Sequence, residues 1–136
     1  VQYSQNLCSI RINQAQVVDI IDEIPILSVI ACFASGTTII EGIEELKIKE
    51  SNRVLAIIDN INLMGGEADE RNNNLVIKGK KRLYNTDIKS FNDHRIFMSF
   101  YIANRLVDKN FDIKFNDLSY TKSFPEFLSV INRVFA

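Results

Sequence analysis

Two helix starts recur at almost one interval along this chain, and that recurrence restricts the fold more than any other feature. Asp22 and Asp93 lie 71 residues apart and Ser51 and Ser123 lie 72 apart, as expected if one supersecondary unit is written twice. In the first copy, Cys8 to Ile12 alternates like a strand. Asp22 then opens an apolar stretch, Ile24 to Ala34, which stops at Ser35-Gly36. Pro25 falls in its first turn, where a lost N–H is harmless. Thr37 to Ile40 is β-branched and reads as a strand. Ser51 is placed to cap a helix with the apolar face Val54, Ile57, Ile58 and Ile61, ending at Gly65-Gly66. Strands at Glu67 to Glu70 and Leu75 to Lys78 follow, joined by a turn at Asn72-Asn73-Asn74.

The plan then restarts with a strand near Asp87 to Lys89, a helix from Asp93 to Val107, a strand over Phe111 to Phe115, and a helix after Ser123 in a capping box with Glu126. The expected architecture is α+β, built from repeated βαβαββ units with buried helices packed against mixed four-stranded sheets. One unit covers about 1–82, and an incomplete second covers about 83–136. The helices near Ile24 to Ala34 and Ile96 to Val107 are apolar almost all round, which assigns them to a core. The second copy stops short of its closing strands, leaving a sheet edge for another segment to pair. The chain also begins with Val1, so it is expected to be an internal piece of a longer protein.

Composition excludes several function classes. With 16 Lys+Arg against 17 Asp+Glu, the net charge of -1 lacks the basic excess of a polyanion-binding module, so no nucleic acid partner is expected. The longest apolar run, Ile24 to Ala34, reaches about half of the roughly 20 residues a membrane span needs, so no membrane association is expected. Cys8 and Cys32 sit among apolar neighbours, a pattern of buried thiols in a reducing cytoplasm. No His/Cys cluster has ligand spacing, so neither metal nor cofactor is expected.

The charges that matter lie at helix starts. Lys49 and Glu50 precede Ser51, with Arg53 in the first turn; His94 and Arg95 follow Asp93; Lys122 precedes Ser123. A cation there opposes the helix macrodipole by roughly 0.3–1 kcal/mol unless an anion or carboxylate is near. Exposed N–H groups and a planar guanidinium fork suit phosphate or carboxylate. Each residue alone also fits an ordinary role: Glu50 and Arg53 as a surface pair, Asp22 and Asp93 as N-caps, His94 as a solvated histidine.

At these residues the chain resembles the 5-enolpyruvylshikimate-3-phosphate (EPSP) synthase family. The resemblance rests on four stretches in order: Asp22-Glu23-Ile24-Pro25-Ile26 with Phe33 to Thr38, then Glu44 to Arg53, then Asn92-Asp93-His94-Arg95-Ile96, then Thr121 to Phe127. Lys49-Glu50-Ser51 with Arg53, and Asn92 to Arg95, separate it from the UDP-N-acetylglucosamine enolpyruvyl transferases that share the fold. Asn52 stands where Asp or a similar polar residue is more usual. The resemblance implies the last part of the second lobe of a two-lobed, cytoplasmic bacterial enzyme, monomeric when whole. It would close over shikimate 3-phosphate and phosphoenolpyruvate, with an N-terminal lobe of the same enzyme as partner. By the same resemblance Asp22 contacts the shikimate hydroxyls as a candidate base, with Lys49 near the same hydroxyl, and Glu50 delivers a proton to the methylene carbon. Arg53 and Arg95 hold the phosphoenolpyruvate carboxylate, Lys122 holds its phosphate, and His94 lines the pocket. A non-catalytic anion-binding or scaffold domain of the same fold, or the sister transferase, are the alternative readings.

Overall fold

A computed structural model describes residues 6–80, 82–112 and 117–136. Its sheet holds four strands: β1 (Arg11–Ile12), β2 (Thr37–Glu41), β3 (Glu67–Arg71) and β4 (Asn74–Lys78), in the order β1-β2-β4-β3. β1 runs parallel to β2, and the other pairs are antiparallel, so the sheet is mixed as expected. The register sets Ile40 opposite Leu75 and Thr38 opposite Ile77. Ile40, Leu75 and Ile77 are fully buried, so one face of the sheet packs inward. Asn72 and Asn73 take positive φ values of 50° and 60°, the paired left-handed residues a tight β3–β4 hairpin needs.

Among the described residues five α-helices accompany the sheet: α1 (Gln14–Asp19), α2 (Ile24–Phe33), α3 (Arg53–Leu63), α4 (His94–Val107) and α5 (Phe127–Val134). The inner faces of α2, α3 and α4 share one core with the sheet, through residues such as Val29, Ile57, Ile61 and Phe100. A second cluster is aromatic. Phe97 and Tyr101 of α4 meet Tyr120 and Phe127, with Phe97 stacked on Tyr120 at 5.3 Å between centroids. This cluster fastens the last segment of the chain to α4.

Several expectations need correction. The first strand is shorter than Cys8 to Ile12: only Arg11–Ile12 is regular, with an isolated parallel bridge from Cys8 to Ser35. Helix α1 carries a single buried residue, Val17, too few to print an apolar stripe on the sequence. Helix α3 is capped by Asn52, whose side chain accepts from the Leu55 N–H, instead of by Ser51. The Ser123–Glu126 capping box does not form. Ser123 closes a 3₁₀ turn at Ser119–Lys122, and Glu126 makes no side-chain cap to α5.

No strand forms at Asp87 to Lys89. There the buried Asn60 side chain receives the Lys89 N–H (3.0 Å) and donates to the Lys89 carbonyl (2.9 Å), supplying from one amide the pairing a strand would have supplied. Asn104 does similar work on the same segment, accepting from Thr86 N–H at 2.9 Å. The strand expected over Phe111 to Phe115 lies largely outside the described residues. Helices α2 and α4 are not buried all round, since Ile30, Phe33 and Leu106 are exposed on sides that no described element covers. Cys32 is buried, and burial pushes its thiol up to about 12, whereas Cys8 is exposed, contrary to expectation. Among the described residues no helix is long and apolar enough to cross a membrane.

Candidate active site

The starts of α3 and α4 and the turn before α2 come together at one place, and the charged residues singled out in the sequence gather there. Arg53 is the first residue of α3, yet its side chain is only 3% exposed. An unpaired guanidinium at such a depth would be strongly unfavourable. Two carboxylates offset it. Arg53 Nε donates to Asp93 Oδ2 at 2.8 Å, and Arg53 Nη1 donates to Asp22 Oδ1 at 2.9 Å. Burial works against the charge on Arg53, but its hydrogen bonds to Asp93 and Asp22, with the charges of both acids, outweigh it and raise its pKa.

Asp93 is wholly buried and every part of its carboxylate is engaged. Oδ1 caps α4 by accepting from the N–H groups of Arg95 (2.9 Å) and Ile96 (3.4 Å), while Oδ2 accepts from Arg53 and from the Ser51 hydroxyl at 3.0 Å. Burial alone would raise its pKa; the hydrogen bond and charge of Arg53, with Ser51 and the α4 amide, hold it below the ordinary value. Ser51, expected as a helix cap, is a donor to this buried carboxylate instead.

Asp22 faces solvent more, at 45% side-chain exposure, and does not cap α2. Its second oxygen is ion-paired with Arg95 Nη2 at 3.0 Å, and Arg95 Nη1 donates to the Asp22 carbonyl at 3.2 Å. The Arg53 hydrogen bond, then the charges of Arg95, Arg53 and Lys49, lower the Asp22 pKa. One carboxylate therefore bridges guanidinium groups from two helices.

Glu50 and His94 form a second pair beside it. His94 Nδ1 lies 2.9 Å from Glu50 Oε2, off the line of a good hydrogen bond, and the nitrogen has no other partner among the described residues. Glu50, Asp93 and His94 place potential metal-ligand atoms within 4.8 Å of one another. Because Asp93 is already saturated by four donors, the trio offers an ion only two uncommitted side chains, fewer than metal sites use.

Lys122 reaches the site differently from the sequence expectation. It ends the 3₁₀ turn and stands away from the start of α5, and its Nζ donates to the Asn92 carbonyl at 2.8 Å, just ahead of α4. Asn92 and Phe91 both have positive φ, 59° and 52°. For a bulky Phe this conformation costs roughly 1–2 kcal/mol, and it turns the chain so that Asp93 enters the core while the Asn92 carbonyl faces Lys122. Lys49 is exposed on the same side, close enough to Asp22 to act on its charge. A cleft of 310 Å³ opens next to these groups, with Asp22 and Arg95 at one edge and Ile26, Met98, Phe124 and Phe127 along its walls.

The seven candidate residues gather around the starts of α3 and α4, and of them Asp22 and Arg95 line the cleft. The sequence reading missed Asp93 as the buried counter-ion of Arg53; the available signal was an acid opening a helix directly ahead of His94 and Arg95.

Comparison with known proteins follows the same residues. The EPSP synthase (3-phosphoshikimate 1-carboxyvinyltransferase) family matches residues 1–131. A protein of that enzyme name from Persephonella marina is 40% identical over 134 residues, which is 98% of this chain and 31% of its own length. Another from Aquifex aeolicus is 36% identical over 129 residues, 95% of this chain and 30% of its own. The solved EPSP synthase from Acinetobacter baumannii superposes with a TM-score of 0.80 at 31% identity, over 94% of this chain and 30% of that one. The chain spans about 30% of the length of such relatives.

Proposed function

The chain belongs to the EPSP synthase family, and from that premise we propose that it forms part of an enzyme moving the enolpyruvyl group of phosphoenolpyruvate onto the 5-hydroxyl of shikimate 3-phosphate. The observation that carries this reading is the convergence of Arg53 and Arg95 on the two oxygens of one carboxylate. Guanidinium groups so spaced suit the carboxylate of phosphoenolpyruvate, and Lys122, against the Asn92 carbonyl just ahead of α4, suits its phosphate.

Asp22 and Lys49 serve the reacting hydroxyl: Asp22 takes its proton as the oxygen attacks the enol carbon. Glu50 gives a proton to the methylene carbon, forming a tetrahedral adduct. It then takes a proton back as the phosphate leaves and the enol ether forms. His94, in contact with Glu50, belongs to the same proton site. The cations supply fixed electrostatic stabilisation to two anionic substrates. The whole enzyme is cytoplasmic and monomeric in this reading, and the rest of its length supplies the remaining contacts to shikimate 3-phosphate.

The test is phosphate release. The full-length enzyme containing this chain should release phosphate only when both substrates are present, and the chain alone should release none. A full-length enzyme inactive with this pair, or a chain active by itself, would overturn the reading.

A further inference from the structure

Four charged side chains meet at the starts of α3 and α4, and their charges cancel: Arg53 and Arg95 against Asp93 and Asp22. A third carboxylate entering this group leaves an excess negative charge in a partly buried place unless one of the two resident acids withdraws. The two differ sharply in freedom to do so. Asp93 is fully buried, caps α4, and receives Ser51 and Arg53, so its removal would undo the helix start. Asp22 stands on a turn, caps nothing and is 45% exposed, and among the described residues its side chain pairs with the two arginines. Its position is that of an exchangeable anion.

We propose that Asp22 is a place-holder for the substrate carboxylate: it occupies Arg53 and Arg95 in the empty protein and yields them when phosphoenolpyruvate binds. This rests on the proposed function and extends it. Two consequences follow in the same site. While it is bound to two guanidiniums, the Asp22 carboxylate is a weak base, because one oxygen accepts a charge-assisted hydrogen bond from Arg53 and the other is ion-paired with Arg95. Displacement frees those lone pairs, so the base becomes competent only after the second substrate's carboxylate has arrived. The empty enzyme also keeps Arg53 paired and its helix start intact.

The exchange makes a prediction opposite to that of a merely supporting role. If Asp22 only holds the arginines in place, its loss weakens carboxylate binding; if it competes with the substrate for them, its loss strengthens it. In full-length enzyme saturated with shikimate 3-phosphate, titration calorimetry with phosphoenolpyruvate should show Asp22→Asn binding about tenfold tighter than wild type, whatever happens to turnover. Equal or weaker binding by a folded Asp22→Asn protein overturns the exchange and leaves the proposed function standing. Failure of wild type to bind phosphoenolpyruvate overturns both. Should the variant not fold, the wild-type enzyme decides. A crystal structure with phosphoenolpyruvate bound should show Asp22 released from both arginines, and an Asp22 still joined to both overturns the proposal.

Discussion

Helix α4 buries an arginine near each end, and the two are stabilised by opposite means. Near its start, Arg53 of α3 is 2% exposed and is matched by two carboxylates; in its last turn, Arg105 is 8% exposed and among the described residues pairs with none. Arg105 instead donates from Nη1 to Asn132 Oδ1 at 2.6 Å and lies 5.0 Å over the Phe135 ring, while its Nε finds no partner. The helix explains the difference. At the C-terminal end the macrodipole supplies partial negative charge, so a cation is tolerated with neutral partners. At the N-terminal end the dipole repels a cation, so Arg53 requires real anions, and only one of its two is fixed in place. An arginine stabilised against the dipole marks a site for anions; one stabilised with it marks a helix end.

The largest expected effect comes from removing the fixed anion. Asp93→Ala leaves Arg53 buried with only the half-exposed Asp22 as counter-ion and deletes the α4 cap, a loss of about 3–5 kcal/mol in urea unfolding. Acid should act in the same direction. Asp93 and Asp22 have folded pKa values held below the ordinary 3.8. Their contribution to stability is therefore complete above that value and is lost as pH falls through the lower folded values. The unfolding midpoint should drop below about pH 4, and the drop should be shallower in Asp93→Asn. An unchanged acid limb in that variant would break the assignment of Asp93 as the dominant counter-ion.

Next in size is Arg95→Ala. Its side chain is 34% exposed and its partner Asp22 can return to solvent, so stability should barely move. Affinity of the full-length enzyme for phosphoenolpyruvate should instead fall by roughly 10- to 150-fold, the worth of about 1.5–3 kcal/mol for a charged hydrogen-bonded contact. Lys122→Ala should weaken the same ligand. Unchanged affinity in both would return these residues to a structural role and erase the functional half of the contrast between the two ends of α4.

How much of this was legible in the sequence differs by interaction type. Helices α2, α3 and α4 and strands β2 and β4 were readable because each carries an apolar run or face bounded by Gly, Asn or Asp, and β3 was readable from the Gly65-Gly66 stop before it and the Asn72-Asn73 turn after it. The site was readable as a list of cations, because charge at a helix start is a local property. Partnership was not. Nothing near Ser51 says that its hydroxyl serves Asp93, 42 residues away, or that Asn60 will pair with Lys89. Polar side chains that replace a strand or neutralise a buried charge act across the fold, and their spacing leaves no periodic trace. The same holds for Phe91 and Asn92, whose left-handed turn shows only as an ordinary pair of residues before the motif.

The smallest effect belongs to the other end of α4, and it is the sharper test of the comparison. Arg105→Met keeps the long stem that packs in the core and discards a hydrogen bond to the exposed Asn132, a long one to the Tyr101 hydroxyl and a ring contact to Phe135. It also removes the unsatisfied Nε, whose burial is a cost in the native protein. These changes oppose one another, so the net loss should be about 1 kcal/mol or less in urea unfolding, with no effect on substrate affinity. The two arginines are similarly buried, so burial alone would predict similar losses at the two ends of the helix. A loss at Arg105 as large as that of Asp93→Ala would mean that burial, and not the sign of the helix end, decides what a buried arginine needs here. The small loss expected instead would leave electrostatic frustration confined to the end where two anionic substrates are proposed to bind.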